Sequence, residues 1–238
     1  MCYLIQTDYL YLKMSISPKV NTSKLTADDL MYGYMNGIFP MADTDGTLYW
    51  YSPDPRAIIP IETYKTPKSL RPLINKKTFE VRINANFEEV MRNCASARKG
   101  DSETWISEEI IEAYCELNKS GLAYSVETYI DNRLVGGLYG VSIGGAFFGE
   151  SMFYKVPDAS KVAFHYLMKI LNYHGYELLD TQFINDNVKR FGAIEIPRGE
   201  YVKALKISLE KSCTFTDVAL HQEGDPLKKL GNNYFTIE

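Results

Sequence analysis

Residues 123–154 constrain the fold of this chain more than any other segment. Three runs, 123–130, 134–141 and 146–154, are rich in apolar residues, and two short breaks separate them, Asp131-Asn132 and Ser142-Ile143-Gly144-Gly145. Breaks of this kind are typical of hairpin turns. The segment therefore predicts three consecutive antiparallel strands.

Further helices and strands are predicted on both sides of these strands. Apolar residues at helical spacing, together with the capping residues Thr26, Asn86 and Ser107, indicate helices. The predicted helices cover 27–36, 86 to about 99, 107–120, 160–174, 185–191 and 198–209, and the additional predicted strands cover 79–83 and 177–183. The segment 47–61 contains three prolines, so it is expected to be extended without forming a long central strand.

The order of these elements predicts the fold class. We expect an α/β (α+β) protein with a mixed sheet, arranged as in the GNAT-like acyltransferases. A boundary is expected near residues 63–67, because the composition changes there from proline-rich to alternating helices and strands. The predicted organisation is a small N-terminal domain, residues 1–66, followed by a GNAT-like domain, residues 67–238.

Composition excludes several classes of protein. Hydrophobic residues make up 45% of the 238 residues and charged residues 24%, which is enough apolar surface to offset the entropy of ordering the chain. No apolar run approaches the roughly 20 residues that cross a bilayer. The first 13 residues lack the pattern of a signal peptide, so a cytoplasmic protein is expected.

Charge and the spacing of cysteine and histidine limit which partners and cofactors are expected. The 26 basic and 30 acidic residues give a net charge of −4, so the total does not by itself indicate a nucleic-acid partner, although a local basic patch matters more than the sum. The four cysteines and three histidines are scattered without zinc-site spacing. We therefore expect no metal and no cofactor.

Six segments of the sequence carry a more specific signal. They are 37–41 (GIFPM), 50–56 (WYSPDPR), 104–106 (TWI), 134–141 (LVGGLYGV), 148–153 (FGESMF) followed by 159–161 (ASK), and 180–182 (DTQ). In this order they resemble the leucyl/phenylalanyl-tRNA–protein transferase family. The resemblance runs from about residue 25 to about residue 209 and implies a small N-terminal domain before a GNAT-like catalytic domain.

The resemblance implies an aminoacyltransferase. Such enzymes move leucine or phenylalanine from aminoacyl-tRNA to the amino terminus of proteins that begin with lysine or arginine. Methionine is a further expected donor residue for this chain. The product is marked for degradation through the N-degron pathway. Because the carboxyl group arrives activated as an ester, neither ATP nor a metal is required. The implied partners are the acceptor arm of aminoacyl-tRNA and the acceptor protein, and a monomer without a membrane partner is expected.

Three polar residues are the candidate catalytic groups. Asp180 and Gln182 are two residues apart on a predicted strand, so both are expected on one sheet face, and they match the catalytic pair of the family. Without the resemblance, an exposed polar pair at a strand end is the simpler interpretation. Glu150 lies among apolar residues and needs a partner, which is either an internal cation or the positive charge of the acceptor.

The resemblance also implies the binding surfaces. Leu138, Phe147, Leu167, Leu171 and Leu179 are expected around the pocket for the transferred side chain, with Ser151 beside it. Trp50, Trp105 and Tyr114 are expected near the terminal adenosine and the ester. For most of these residues ordinary core packing is the competing interpretation, and for Trp50 it is packing at a domain interface. Lys65, Lys68, Arg71, Lys76 and Lys77 form a basic run that would meet the tRNA backbone, or would be a solvated face.

Two other functions stay open from the sequence. One is a coenzyme-A-dependent N-acyltransferase of the same fold, although no good match to its pyrophosphate-binding loop is found. The other is a non-enzymatic module that binds N-terminal residues or tRNA. The pair Asp180 and Gln182 argues against the second alternative.

Overall fold

The structure is a computed structural model that describes residues 24–43, 47–96 and 104–216. Its helices are α1 (Ala27–Met35), α2 (Arg71–Asn75), α3 (Phe87–Ala95), α4 (Glu108–Lys119), α5 (Ala159–Tyr173), α6 (Asp186–Arg190) and α7 (Arg198–Leu209). Its strands are β1 (Phe39–Ala42), β2 (Leu48–Tyr51), β3 (Arg56–Ile58), β4 (Glu80–Ile83), β5 (Ala123–Ile130), β6 (Arg133–Ile143), β7 (Ala146–Tyr154), β8 (Leu178–Gln182) and β9 (Ile194–Ile196).

The N-terminal part consists of α1 and a two-stranded sheet. Thr26 and Asp29 form a reciprocal capping box at the start of α1, as the sequence predicts. Strands β1 and β2 pair antiparallel, with Trp50 opposite Pro40. Trp50 therefore lies in a short strand within segment 47–61, which the sequence analysis expected to be extended.

The seven-stranded sheet has the order β4-β5-β6-β7-β8-β3-β9. Its pairs are antiparallel except for β7 and β8, which are parallel. The three predicted strands form the hairpins β5–β6 and β6–β7, and Asp131 and Asn132 take the positive φ angles of a tight turn. These predictions are confirmed.

The sequence analysis predicted no strand at β1 or β9 and no helix at α2, and it expected only extended chain where β2 and β3 form. Strand β3 lies between β8 and β9 but is only three residues long, because prolines at 53, 55 and 60 flank it. Helix α3 ends at Ala95, before the predicted end near residue 99, which lies outside the described residues.

Two hydrophobic clusters cover the two faces of the sheet. One contains the buried residues of α1, β1, β2, α3 and α4, together with Tyr201 and Leu205 of α7. The other forms around α5, with Leu70, Phe79 and Phe215. The predicted mixed α/β fold with a smaller N-terminal unit is confirmed. The GNAT-like arrangement and the division at residues 66 and 67 stay predictions, and β3, which precedes that division, belongs to the large sheet.

Candidate active site

Glu150 occupies a β-bulge in β7. The ladder between β6 and β7 passes from the 139–151 pair directly to the 140–149 pair, so Glu150 is an extra residue on its strand. A bulge redirects a side chain from the regular alternation of a strand. Opposite the bulge, a side chain at Gly140 would place its Cβ 2.3 Å from the carbonyl oxygen of Phe148. The strand pair accommodates this bulge because residue 140 is glycine.

The Glu150 carboxylate is held by neutral donors. Tyr34 donates its hydroxyl to Oε1 at 2.6 Å, and Gln182 donates Nε2 to the same oxygen at 2.8 Å. Within the described ranges Glu150 forms no ion pair. The internal cation that the sequence analysis considered is therefore not bonded to it, and its partners are a phenol and an amide.

Burial raises the pKa of Glu150 to about 7. This value is the net effect of all its neighbours: the carboxylate of Asp180 also raises the pKa, whereas the hydrogen bonds from Tyr34, Tyr114 and Gln182 lower it. A carboxyl group with this pKa changes protonation near neutral pH. Glu150 is therefore suited to accept a proton from an ammonium group and to return it.

Glu150 and Gln182 lie at corresponding places on neighbouring parallel strands. The pairing of β7 and β8 ends at the pair Phe148–Asp180, and the two residues lie two positions beyond that pair. The hydrogen bond between their side chains connects the strands where the main-chain ladder has ended. The candidate site thus lies where the parallel pairing stops, at the last residue of β8 and in the middle of β7.

Asp180 is a fully buried carboxylate with four donors. Arg56 donates Nε to Oδ1 at 2.9 Å and Nη2 to Oδ2 at 2.6 Å, which is the two-pronged geometry of a strong pair. Tyr201 donates to Oδ2 at 2.7 Å, and the main-chain N–H of Gln182 donates to Oδ1 at 2.9 Å. Asp180 therefore orients the backbone of Gln182, and the side-chain amide of Gln182 is oriented by Glu150.

Gln182 has a left-handed backbone conformation, with φ of 62°. This conformation is uncommon for residues other than glycine and persists where its surroundings enforce it. The bond from its N–H to Asp180 and the bond from its amide to Glu150 supply that enforcement. No described residue donates to the amide oxygen of Gln182, so this oxygen can accept a hydrogen bond from an incoming amine.

Three tyrosines extend the site into the core. The hydroxyls of Tyr34 and Tyr114 are hydrogen-bonded to each other, and the ring of Tyr139 packs edge-on against Tyr114. Burial raises the pKa of all three phenols well above the ordinary value, so they stay neutral donors. Within the described part of the chain, the hydroxyl of Tyr139 is buried without a hydrogen-bond partner.

The predicted pocket residues lie together on the other face of the sheet. Leu138, Phe147, Leu167, Leu171 and Leu179 are all buried in one cluster. Ser151 follows Glu150 in β7, is buried, and hydrogen-bonds Cys94. Phe215, which the sequence analysis did not single out, stacks on Phe147 with ring centroids 5.2 Å apart. The structure brings the five predicted apolar residues together but places Ser151 against Cys94 of the cluster on the opposite face. The role of the five residues as a pocket stays a prediction.

The three predicted adenosine-binding aromatics differ in exposure. Trp50 is 7% exposed, and its ring packs so closely on the backbone of α1 that a Cβ at Gly33 would be 2.1 Å away. This contact lies within the N-terminal part, and packing of Trp50 at a domain interface stays a prediction. Tyr114 is fully buried, and Trp105 is half-buried. Of the three, Trp105 has the most accessible ring for base stacking, which stays a prediction.

The predicted basic run is exposed on and around α2. Lys65, Lys68, Arg71, Lys76 and Lys77 are all exposed. None of them forms an ion pair with another residue that the structure describes. Their charges are thus not neutralised by described acidic side chains and are available to phosphates.

Three residues of the site were missed by the sequence analysis in this role: Tyr34, Arg56 and Tyr201. Tyr34 falls within the predicted helix 27–36, where nothing in the sequence indicates a role in a site. Arg56 ends the segment WYSPDPR, which contributed to the family resemblance, but nothing in its spacing indicates an ion pair with a residue 124 positions away. Tyr201 carries no local signal.

Metal ligands and membrane-spanning helices are both missing from the described residues. Across residues 24–43, 47–96 and 104–216, no group of three or more His, Cys, Asp or Glu side chains is placed to hold a metal ion. In the same ranges no helix is both long and apolar enough to pass through a membrane.

The sequence matches one protein family in two successive segments. The family described as "Leucyl/phenylalanyl-tRNA protein transferase" matches residues 58–206, and the N-terminal domain of the same family matches residues 23–54. Together the two matches include the segments that carry the resemblance, apart from residues 55 and 56.

Curated relatives match over almost their full length. The leucyl/phenylalanyl-tRNA–protein transferase of Herpetosiphon aurantiacus is 50% identical over 195 residues, which is 82% of this chain and 100% of the relative. That of Prosthecochloris aestuarii is 46% identical over 192 residues, or 80% of this chain and 99% of the relative. That of Gloeobacter violaceus is 49% identical over 192 residues, or 80% and 97%.

One solved structure gives a weak match. L-PGS from Bacillus licheniformis aligns with a TM-score of 0.36 and 15% identity, over 70% of this chain and 56% of that chain. A likeness at this level carries no conclusion about fold or function.

Proposed function

Because the chain belongs to the leucyl/phenylalanyl-tRNA protein transferase family and is therefore an aminoacyltransferase, we propose that it transfers leucine, phenylalanine or methionine from aminoacyl-tRNA to the amino terminus of proteins that begin with lysine or arginine. We further propose that the products are substrates of the N-degron pathway and that the reaction takes place in the cytoplasm.

The observation that carries this proposal is the hydrogen-bonded pair of Glu150 and Gln182. The acceptor amine must lose a proton and be held against the ester carbonyl. The pKa of Glu150, about 7, lies close to that of an α-amino group, so proton transfer between them is nearly balanced. The amide oxygen of Gln182 accepts a hydrogen bond from the same amine and aims its nitrogen.

The reaction follows from these positions. Glu150 takes a proton from the ammonium group, and the amine nitrogen attacks the ester carbon to form a tetrahedral intermediate. Its collapse breaks the bond to the ribose oxygen of the terminal adenosine. The proton held by Glu150 passes to that leaving oxygen, and the nitrogen, which still carries one proton more than the amide product, releases it to solvent. The carboxylate is thus regenerated and no ATP is consumed.

The charge of Glu150 supports a basic acceptor. A carboxylate in this apolar setting is stabilised by the hydrogen bonds of Tyr34 and Gln182, without an ion pair from a described residue. An acceptor that brings lysine or arginine places a positive charge near it and favours its ionised form. An acceptor that begins with aspartate or glutamate would bring repulsion instead.

The tRNA is proposed to bind across the exposed basic run and Trp105. The five basic side chains of the run would neutralise phosphates of the acceptor arm, which makes the affinity dependent on salt. The half-buried ring of Trp105 offers a surface for the terminal adenine, and such stacking contributes about 1–3 kcal/mol per base.

The test is a donor and acceptor exchange. Radiolabelled leucine on pre-charged tRNA is supplied to peptides that differ only in beginning with arginine or aspartate, and acetyl-CoA replaces the charged tRNA in a parallel reaction. We expect label on the arginine peptide alone, without ATP. Transfer from acetyl-CoA, or no transfer from leucyl-tRNA, would contradict the proposed reaction, whereas equal labelling of both peptides would contradict the acceptor preference only.

A further inference from the structure

Arg56 is a buried cation at the centre of the candidate site that does not bond Glu150. Its side chain is 1% exposed and lies between two aromatic rings, 4.8 Å from the centroid of Phe39 and 4.5 Å from that of Tyr201. Burial lowers the pKa of the guanidinium, but Asp180, Tyr201 and Glu150 together raise it above its ordinary value. Arg56 is therefore a permanently charged group with a fixed orientation.

One side of the guanidinium is connected to Gln182. Nε and Nη2 bind the two oxygens of Asp180, and Oδ1 of Asp180 accepts the main-chain N–H of Gln182. This bond holds the left-handed backbone of Gln182, from which its amide reaches Glu150. The orientation of the first donor to Glu150 thus depends on the ion pair.

The other side is connected to Tyr34. Nη1 of Arg56 donates to the carbonyl oxygen of Gly37 at 3.1 Å, and the N–H of Gly37 donates to the carbonyl oxygen of Tyr34 at 3.0 Å. Gly37 follows the end of α1 with φ of 73°, so this contact fixes where the last turn of α1 stands relative to β3. Tyr34 in that turn is the second donor to Glu150.

We propose that Arg56 is a positioning residue for the transfer reaction, which orients two of the hydrogen-bond donors of Glu150, Gln182 through Asp180 and Tyr34 through Gly37. The transfer reaction named in this inference rests on the proposed function, whereas the hydrogen-bond connections do not. It assigns to Arg56 a role in turnover that is exerted without contact with the substrate.

The first test is a double-mutant cycle. Arg56→Lys keeps the charge beside Asp180 but loses the planar guanidinium, whose nitrogens bind Asp180 on one side and the Gly37 carbonyl on the other. We expect this change to lower the single-turnover rate of leucyl transfer by about 10- to 100-fold in the parent chain, because small misplacements have effects of that size. In a chain that already carries Tyr34→Phe and Gln182→Ala, it should lower the rate by less than about threefold, since the groups it positions are gone.

Arg82→Lys is the matched control. Arg82 also pairs with a carboxylate, Glu80, and lies over an aromatic ring, that of Tyr129, but it is on β4 at the far edge of the sheet. The control should leave the transfer rate unchanged. An equal loss from Arg56→Lys in both backgrounds would show that Arg56 does not act through Tyr34 and Gln182, and would overturn the inference.

The second test does not require activity. The groups that face Glu150 are Tyr34 on α1, Tyr114 on α4, Tyr139 on β6, Asp180 on β8 and Arg56 on β3. Carbon-13 NMR can follow the carboxyl of Glu150 during a pH titration. Since both donors favour the ionised carboxylate, Arg56→Lys should raise the pKa of Glu150, as should the Tyr34→Phe and Gln182→Ala pair. An unchanged pKa of Glu150 in folded Arg56→Lys protein would overturn the inference, whereas an inactive parent would overturn only the proposed function.

Discussion

Replacing Asp180 by alanine should destabilise the protein strongly as well as inactivate it. The change leaves the guanidinium of Arg56, 1% exposed, without its carboxylate, and it removes the acceptor of Tyr201 and of the Gln182 N–H. Removal of one partner of a buried ion pair typically costs about 3–5 kcal/mol, because the remaining charge stays buried. This is a large part of the roughly 5–15 kcal/mol by which a domain is stable.

Urea-induced unfolding of the parent and of Asp180→Ala measures the loss. Glu62→Ala is the control, since Glu62 is exposed and its carboxylate has no partner among the described residues, and its change should stay within about 0.5 kcal/mol. Arg56→Met combined with Asp180→Leu removes both charges and should cost less than Asp180→Ala alone. A loss below about 1 kcal/mol for Asp180→Ala would refute the argument that this pair is buried and mutually dependent.

Three further predictions concern other parts of the chain. A carboxyl group whose pKa is raised on folding stabilises the native state at low pH and loses that contribution as it ionises. In thermal unfolding, Glu150→Gln should therefore gain stability relative to the parent as the pH rises from about 5 to about 7. Gly140→Ala should destabilise the protein by about 1–3 kcal/mol in urea-induced unfolding, because the added Cβ would lie too close to the Phe148 carbonyl oxygen. Gly199→Ala in α7 is the control, since the space around its Cβ position is open, and it should be neutral or stabilising. Replacing Lys76 and Lys77 by alanine should weaken tRNA binding, as measured by filter binding at several salt concentrations. The slope of the logarithm of the binding constant against the logarithm of the salt concentration should fall in magnitude by about 0.7–0.9 for each phosphate that the protein no longer neutralises.

The sequence predicted the parts of the fold that depend on local patterns. The hairpins of β5, β6 and β7 follow from apolar runs and from Asp131-Asn132, and α1 and α4 begin at the predicted caps. Strands β3 and β9 were missed because each has three residues, too few to show a period. The pairing of β3 depends on β8, which is distant in sequence, and β9 in turn pairs with β3.

The candidate site was predicted only in part, for a related reason. Asp180 and Gln182 were singled out because they match the catalytic pair of the family that the sequence resembles, and Glu150 because it is a carboxylate among apolar residues. The structure brings all three together. The bulge at Glu150 depends on how two strands pair, and the bond between Arg56 and Asp180 joins residues 124 positions apart. Neither leaves a periodic signal in one chain.

The single-turnover rate of leucyl transfer in Gln182→Ala tests the central claim most directly. Saturating leucyl-tRNA and a peptide that begins with arginine isolate the chemical step, and Thr181→Ala is the control, because the Thr181 hydroxyl bonds the carbonyl of Ala57 and not Glu150. The account predicts a rate at least about tenfold below the parent for Gln182→Ala, with unchanged folding by circular dichroism, and a near-parent rate for Thr181→Ala. Transfer by Gln182→Ala at the parent rate would contradict the assignment of the Glu150–Gln182 pair as the site of the reaction.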